Sequence, residues 1–242
     1  MSAKLAVAAV TIAALASGAA AQDGFTSLFN GKDLTGWKIP AGDNGHWKVV
    51  DGVIDYDAES EAPGEKSLAS ERDYGDFVLK LEWRIKATPY INPNVPIILS
   101  SGLHKKGPDG KEIRLSVPDS DSGVYVRGSS KAQINIWGWP VGSGEVYGYR
   151  TDDKMPPAVR AAVTPTRNAD RDIGQWNAFE ITMRGDRLTV VLNGEKVISE
   201  AQLPGVPARG PIMLQHHGAR KGGVWVSPPS LVQFRNIMIR EM

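Results

Sequence analysis

Along this chain the apolar positions recur every second residue far more often than every third or fourth. From Asp76 to Lys86 the residues Phe77, Leu79, Leu81, Trp83 and Ile85 alternate with Val78, Lys80, Glu82, Arg84 and Lys86. That period predicts a strand with one face toward a core and the other toward water or a ligand. Trp47 and Val49 before Asp51-Gly52, with Val53 and Ile54 after it, predict a hairpin over His46 to Tyr56, because Asp-Gly supplies the positive φ of a tight turn. A second hairpin reads over Ala178 to Ile198, with Arg187 to Leu192 leading into Asn193-Gly194. Further strands are expected at Gly123 to Arg127, Ala132 to Trp137, Pro211 to His216 and Leu231 to Arg240. Only Pro157 to Val163 suits a short helical turn. Many short strands with Gly and Pro turns predict an all-β sandwich rather than a βαβ fold.

Two stretches break this pattern. Thr88 to Pro118 contains Pro89, Pro93, Pro96, Pro108 and Pro118, a Pro108-Asp109-Gly110 turn, and the basic residues Lys105, Lys106 and Lys111. It reads as a long loop with one strand at Ile97 to Leu99. Thr151 to Gly174 reads as a surface excursion between strands.

The first 21 residues stand apart from the fold. Lys4, the apolar run Leu5 to Leu15 and the small residues Ala19-Ala20-Ala21 before Gln22 have the form of a secretory signal peptide. The run is shorter than the roughly 20 residues a membrane span needs. Cleavage there removes Lys4 and leaves basic and acidic residues equal at 27 each in a mature domain of residues 22–242. The expected location is periplasmic or secreted, with no membrane span after cleavage. Such a balance lacks the basic excess of a nucleic-acid binder. With no cysteine in the 242 residues, disulfides, thiolate metal sites and a cysteine nucleophile are excluded.

Candidate chemistry concentrates in the second half. In Ala132 to Trp137 the residues Gln133, Asn135 and Trp137 share one strand face. Two amides and an indole suit sugar recognition, since amides bond hydroxyls and an aromatic ring covers an apolar sugar face. A polar outer face with its tryptophan under a loop fits the same alternation. The segment from Trp137 to Arg150 adds Trp139, Glu145 and Tyr149 among four glycines. Glu145 is a candidate acid/base carboxylate beside aromatics, and equally a partner for Arg150. In Gln215-His216-His217-Gly218 the adjacent histidines point to opposite faces, so one at most serves a site as a base. Glu82 and Arg84 share the polar face of their strand and Arg127 ends another, which an ion pair across a sheet would also explain. No G-x-S-x-G elbow is present, and no H-x-H or H-E-x-x-H spacing marks a zinc site.

An ordered set of short motifs carries a family resemblance. Phe29-Asn30-Gly31-Lys32-Asp33-Leu34-Thr35-Gly36-Trp37, Trp47 with Asp51-Gly52-Val53, Asp76-Phe77 with Glu82-Trp83-Arg84, Ser122-Gly123-Val124-Tyr125-Val126-Arg127, Gly174-Gln175-Trp176-Asn177, Leu192-Asn193-Gly194, Leu214-Gln215-His216-His217-Gly218 and Phe234-Arg235-Asn236-Ile237 occur in that order. Together they resemble the 3-keto-disaccharide hydrolase domain family over nearly the whole mature chain. The resemblance implies a concanavalin A-like jelly roll of two antiparallel sheets with a concave face for carbohydrate. It also implies action on glycosides oxidised at C3 by an upstream sugar oxidoreductase. Two departures stand out: Asp121-Ser122-Gly123 replaces the usual Asn-Ser-Gly, and Lys131-Ala132-Gln133-Ile134-Asn135 lacks the carboxylates of the family's Glu-x-Gln segment.

The ketone sets the expected chemistry. It acidifies the C2 proton, so His216, His217 or Glu145 would act as base while Arg127 or a divalent cation stabilises the enolate. Gln133, Asn135, Trp137, Trp139, Tyr149, Gln215, Glu82 and Arg84 are the expected sugar contacts. Hydrolysis by two carboxylates is the competing route, and a non-catalytic carbohydrate-binding module the competing function.

Overall fold

The computed structural model describes residues 24–242, so the signal-peptide reading lies outside the described residues. The fold is all-β: two antiparallel sheets face each other across one apolar core. The larger sheet runs in the order Glu195–Gln202, Arg187–Leu192, Asn177–Arg184, Phe77–Ile85, Val232–Glu241, Val53–Asp55 and Lys48–Val50, with Thr26–Ser27 also pairing to Val232–Glu241. The smaller runs Gln133–Trp137, Asp121–Tyr125, Gly210–Leu214, Leu68–Tyr74 and Trp37–Lys38. This is the expected jelly-roll sandwich, and the strand Phe77–Ile85 spans the alternating run that predicted it.

Sequence turns fix both predicted hairpins. Asp51 and Gly52 take φ of 50° and 79°, and Asn193 and Gly194 take 53° and 85°. Both central residues are thus left-handed, the twist that joins adjacent antiparallel strands. Alternation then sorts the side chains of the smaller sheet. Val124, Ile134, Ile136, Ile212 and Leu214 go to the core, leaving Asp121, Gly123, Gln133, Asn135, Trp137 and Met213 on its outer face.

Thr88 to Pro118 differs from expectation. Tyr90–Pro96 and Arg114–Asp119 form a two-stranded ribbon, while Ile98 makes only an isolated bridge to His104. Pro93, Pro96 and Pro118 are tolerated because each strand of a ribbon has a free edge where no N–H is needed. A second small ribbon, Ala219–Lys221 with Val224–Ser227, follows the two histidines. Pro157–Ala162 is the expected helical turn, and Tyr147–Arg150 adds another that the sequence did not signal.

Candidate functional site

A cavity of about 320 Å³ opens on the outer face of the smaller sheet. Its floor is the predicted row Gln133, Asn135 and Trp137, joined by Gln215 just past the end of Gly210–Leu214, the next strand but one. Gln133 donates from Nε2 to Gln215 Oε1 at 2.5 Å and to the Ser122 carbonyl at 3.2 Å. Gly123 makes that possible: a Cβ there would sit 2.6 Å from Gln133 Nε2.

The aromatic wall is held from behind. Trp139 stacks on Trp137 with ring centroids 4.1 Å apart and planes within 4°. Trp137 Nε1 donates to the Gly142 carbonyl at 2.8 Å, and Trp139 Nε1 to Asp119 Oδ2 at 2.9 Å. Asp119 also receives Asn92 Nδ2 at 2.9 Å and the Gly138 N–H at 3.3 Å. A fully buried carboxylate therefore ties the ribbon to the tryptophan loop.

The reactive groups face each other on the far side. His217 Nδ1 lies 2.6 Å from the Pro228 carbonyl, which can only accept. Nδ1 thus carries the proton, and in the neutral ring Nε2 presents a lone pair. That nitrogen is 3.7 Å from Asp121 Oδ2. Ser230 joins the two backbones: its Oγ accepts the His217 N–H at 2.5 Å and donates to the Asp121 carbonyl at 2.7 Å. Asp121 Oδ1 is buried without a partner. Burial, helped by the Asp119 charge and opposed by His217, pushes the Asp121 carboxyl up to about 7. The Nε2 lone pair of His217 and a carboxyl that burial pushes toward its protonated form set a base and an acid on one cavity. Although Asp119, Asp121 and His217 line one cavity, no group of three His, Asp or Glu side chains among the described residues is placed to hold a metal ion.

The model of the 3-keto-α-glucoside-1,2-lyase-like domain matches residues 24–240. The chain belongs to this family. Two structures, each of a candidate glycosyl hydrolase from Parabacteroides distasonis, share the fold at 22% identity. One has a TM-score of 0.58 and an alignment covering 91% of this chain and 84% of its own. The other has a TM-score of 0.52, covering 90% and 94%. No curated protein matches the chain.

Within this 3-keto-α-glucoside-1,2-lyase-like domain the other expected residues fall elsewhere. Glu145 is fully buried and pairs with Arg150, itself 1% exposed. Desolvation pushes its carboxyl up to about 7 against the pull of Arg150. Arg150 continues to His104 Nε2 at 3.1 Å, and His104 Nδ1 to Glu112 at 2.9 Å. The plainer reading of Glu145, an ion-paired carboxylate, is the one its geometry fits. Arg127 is a structural clamp: its guanidinium donates to the carbonyls of Gly75, Gly185 and Pro207 and to Asp76, at 2.7 to 3.0 Å. It holds three loops together away from the cavity. His216 turns from its neighbour toward the Tyr56 hydroxyl, 2.6 Å from Nδ1, and burial drives its pKa down to about 4. Tyr149 is buried and donates to the Pro204 carbonyl at 3.1 Å. Glu82 and Arg84 occupy the outer face of the other sheet, where Glu82 pairs with Arg235 rather than with Arg84 or Arg127.

Sequence reasoning missed Asp119 and Asp121. Their spacing held the signal, because residues two apart on an extended chain share a face, but the strand was expected to begin at Gly123. Asn92, Tyr147 and Pro228 reach the cavity from segments whose proximity no local pattern encodes.

Proposed function

We propose that this chain is an exported carbohydrate-active enzyme that cleaves glycosides carrying a ketone at C3. The observation that carries the reading is the His217–Asp121 pair, set opposite a tryptophan wall and over a floor of amides. His217 Nε2 takes the C2 proton, which the neighbouring ketone acidifies, and the electron pair forms the enolate. Asp121, protonated, gives its proton to the glycosidic oxygen as the C1–O bond breaks, leaving a C1=C2 double bond conjugated to the ketone. Water then adds at C1 and a proton returns to C2, regenerating the 3-keto sugar. Gln133, Asn135 and Gln215 address hydroxyls, and Trp139 covers a C–H face of the ring. A dehydrogenase acting on the C3 hydroxyl is the reaction class that supplies such a substrate.

A chromogenic 3-keto-glucoside tests this. Purified protein should release the aglycone, and His217→Ala should slow release by about 10²- to 10⁴-fold, the usual share of a positioned base. No release by the wild-type protein, with or without added divalent metal, would sink the enzymatic reading. A non-catalytic sugar-binding module is the second reading, favoured by the withdrawal of Glu145 and Arg127 into structural roles. It predicts sugar affinity without turnover.

A further inference from the structure

Removing the C2 proton leaves negative charge on the ketone oxygen, and that oxygen needs a donor. Arg127, one expected holder, is spent on three carbonyls and Asp76 away from the cavity. Asn135 lies on the cavity floor, 3% exposed, in a strand whose alternate residues Ile134 and Ile136 face the core. Its amide makes no hydrogen bond to any described residue, and both of its polar atoms remain accessible from the cavity. The backbone beneath it is fixed: the Asn135 N–H donates to the Glu145 carbonyl and the Asn135 carbonyl accepts the Gly144 N–H, both at 2.9 Å. That segment is anchored in turn by the buried Glu145–Arg150 pair. Other donors on the cavity are engaged. Gln133 Nε2 serves Gln215 and the Ser122 carbonyl, Trp137 Nε1 serves Gly142, and Asn92 Nδ2 and Trp139 Nε1 are drawn to Asp119. Gln215 also meets the Tyr125 hydroxyl, and Tyr147 is 44% exposed, too open to water to hold a charge strongly.

We propose that Asn135 is the oxyanion-binding residue of this site: its Nδ2 donates to the C3 oxygen and binds it more strongly as the ketone becomes an enolate. The assignment rests on the cleavage of a 3-keto glycoside proposed above. The C2–H electron pair moves into the C2–C3 bond and the carbonyl pair onto oxygen; the proton goes to His217 Nε2, and the amide hydrogen stays on nitrogen. Strand register puts the groups in order. Asn135 pairs with Gly123 and Trp137 with Asp121, so Asp121 is the diagonal neighbour of Asn135, about 7–8 Å away. One pyranose ring spans that distance with its C3 oxygen at the amide and its glycosidic oxygen at the carboxyl. Gly123, directly opposite, has no side chain to cover the amide. A fixed, neutral donor suits developing charge because nothing has to reorganise as the charge appears. An aspartate in its place would oppose that charge.

Hydrogen–deuterium exchange at C2 of 3-keto-1,5-anhydroglucitol, followed by NMR in D2O, reads enolate formation in a sugar that carries no aglycone. Wild-type protein should exchange C2, and Asn135→Ala and Asn135→Asp should each slow exchange by about 10²- to 10³-fold, the usual loss of one oxyanion donor. On the chromogenic 3-keto-glucoside the same variants should lose kcat by that factor with KM within about threefold, because the bond strengthens only as charge develops. Asn135→Asp keeps the shape of the side chain, so slowed exchange at an unchanged melting temperature supports a role in the chemistry rather than in folding. Exchange by Asn135→Ala as fast as wild type, or a raised KM at full kcat, overturns the assignment, while aglycone release by the wild-type protein would keep the cleavage reading standing. Exchange that depends on Asn135 in a protein that releases no aglycone would defeat the cleavage reading and leave the assignment in place.

Discussion

The outer faces of the two sheets carry similar side chains and end in opposite states. On the larger sheet, Glu82 accepts from Arg235 at 2.7 Å and from Asn236 at 2.9 Å, while Arg84 donates to Gln233 at 2.6 Å. Arg84 and Arg235 both lie over the Trp176 ring, at 4.7 and 4.0 Å from its centroid. Glu82, Arg84 and Arg235 have each found a neighbour on the same surface. On the smaller sheet, Asp121 keeps an unpartnered oxygen and His217 stands 3.7 Å from it. The ribbon, the tryptophan loop and the Pro228 segment rise around this face and line its cavity without completing its hydrogen bonds. Polar residues on a strand become a site when surrounding loops bury them incompletely paired, and a decorated surface when they pair with one another.

The comparison breaks most sharply under substitution of the cavity pair. His217→Ala and Asp121→Asn should each lower kcat/KM on a 3-keto glycoside by about 10²- to 10⁴-fold, whereas Glu82→Gln and Arg84→Met should leave it within about twofold. Steady-state assays on the four variants decide it, and comparable losses on both faces would erase the distinction. Next in size is a stability effect beside the smaller sheet. Glu145→Ala strands the Arg150 charge in the interior and should cost about 3–5 kcal/mol in denaturant unfolding, by the usual penalty for breaking a buried pair. Removing Arg235 from its partly exposed pair with Glu82 should cost only about 0–1 kcal/mol.

Trp139→Ala removes the aromatic wall and should weaken sugar binding by about 0.5–1.5 kcal/mol, read by calorimetric titration. The matching change at Trp176 should leave affinity untouched. A further effect is on pH dependence. Asp121 and Glu145 are both raised to about 7 in the fold, so the folded state holds protons that the unfolded chain releases. Their contributions to stability are present at acid pH and are lost as pH rises from about 4 to about 7. His216, depressed to about 4, works in the opposite sense and gains stability from about 4 to 6.5. Asp121→Asn should therefore stabilise the protein relative to wild type increasingly across that range. Melting temperatures at pH 4.5 and 7.5 measure it, and a pH-independent difference would contradict the buried carboxyl.

How much was legible beforehand varies along the chain. The alternation of Phe77–Ile85 and the Asn-Gly and Asp-Gly turns placed the strands and turns, although the strand after Asn193-Gly194 runs on to Gln202, past the expected end at Ile198. The prolines between Thr88 and Pro118 concealed the ribbon, since proline argues against a strand except where an edge is free. Glu145 beside Arg150 was read both ways, and only the helical turn Tyr147–Arg150, which folds the guanidinium back over the carboxylate, decides between them.

What the sequence by itself determined is the set of side chains sharing each strand face, because an extended backbone turns successive residues to opposite sides whatever surrounds it. Gln133, Asn135 and Trp137 were on one face before any packing was known, and His216 and His217 were on different ones. Which face would be enclosed, and which histidine would meet a carboxylate, belonged to the tertiary structure. Asp121 and Ser230 are 109 residues apart in the chain, and the contact that sets His217 against Asp121 exists only once the two segments are packed side by side. Burial and pairing are properties of that arrangement, so the chemistry of the site follows from it.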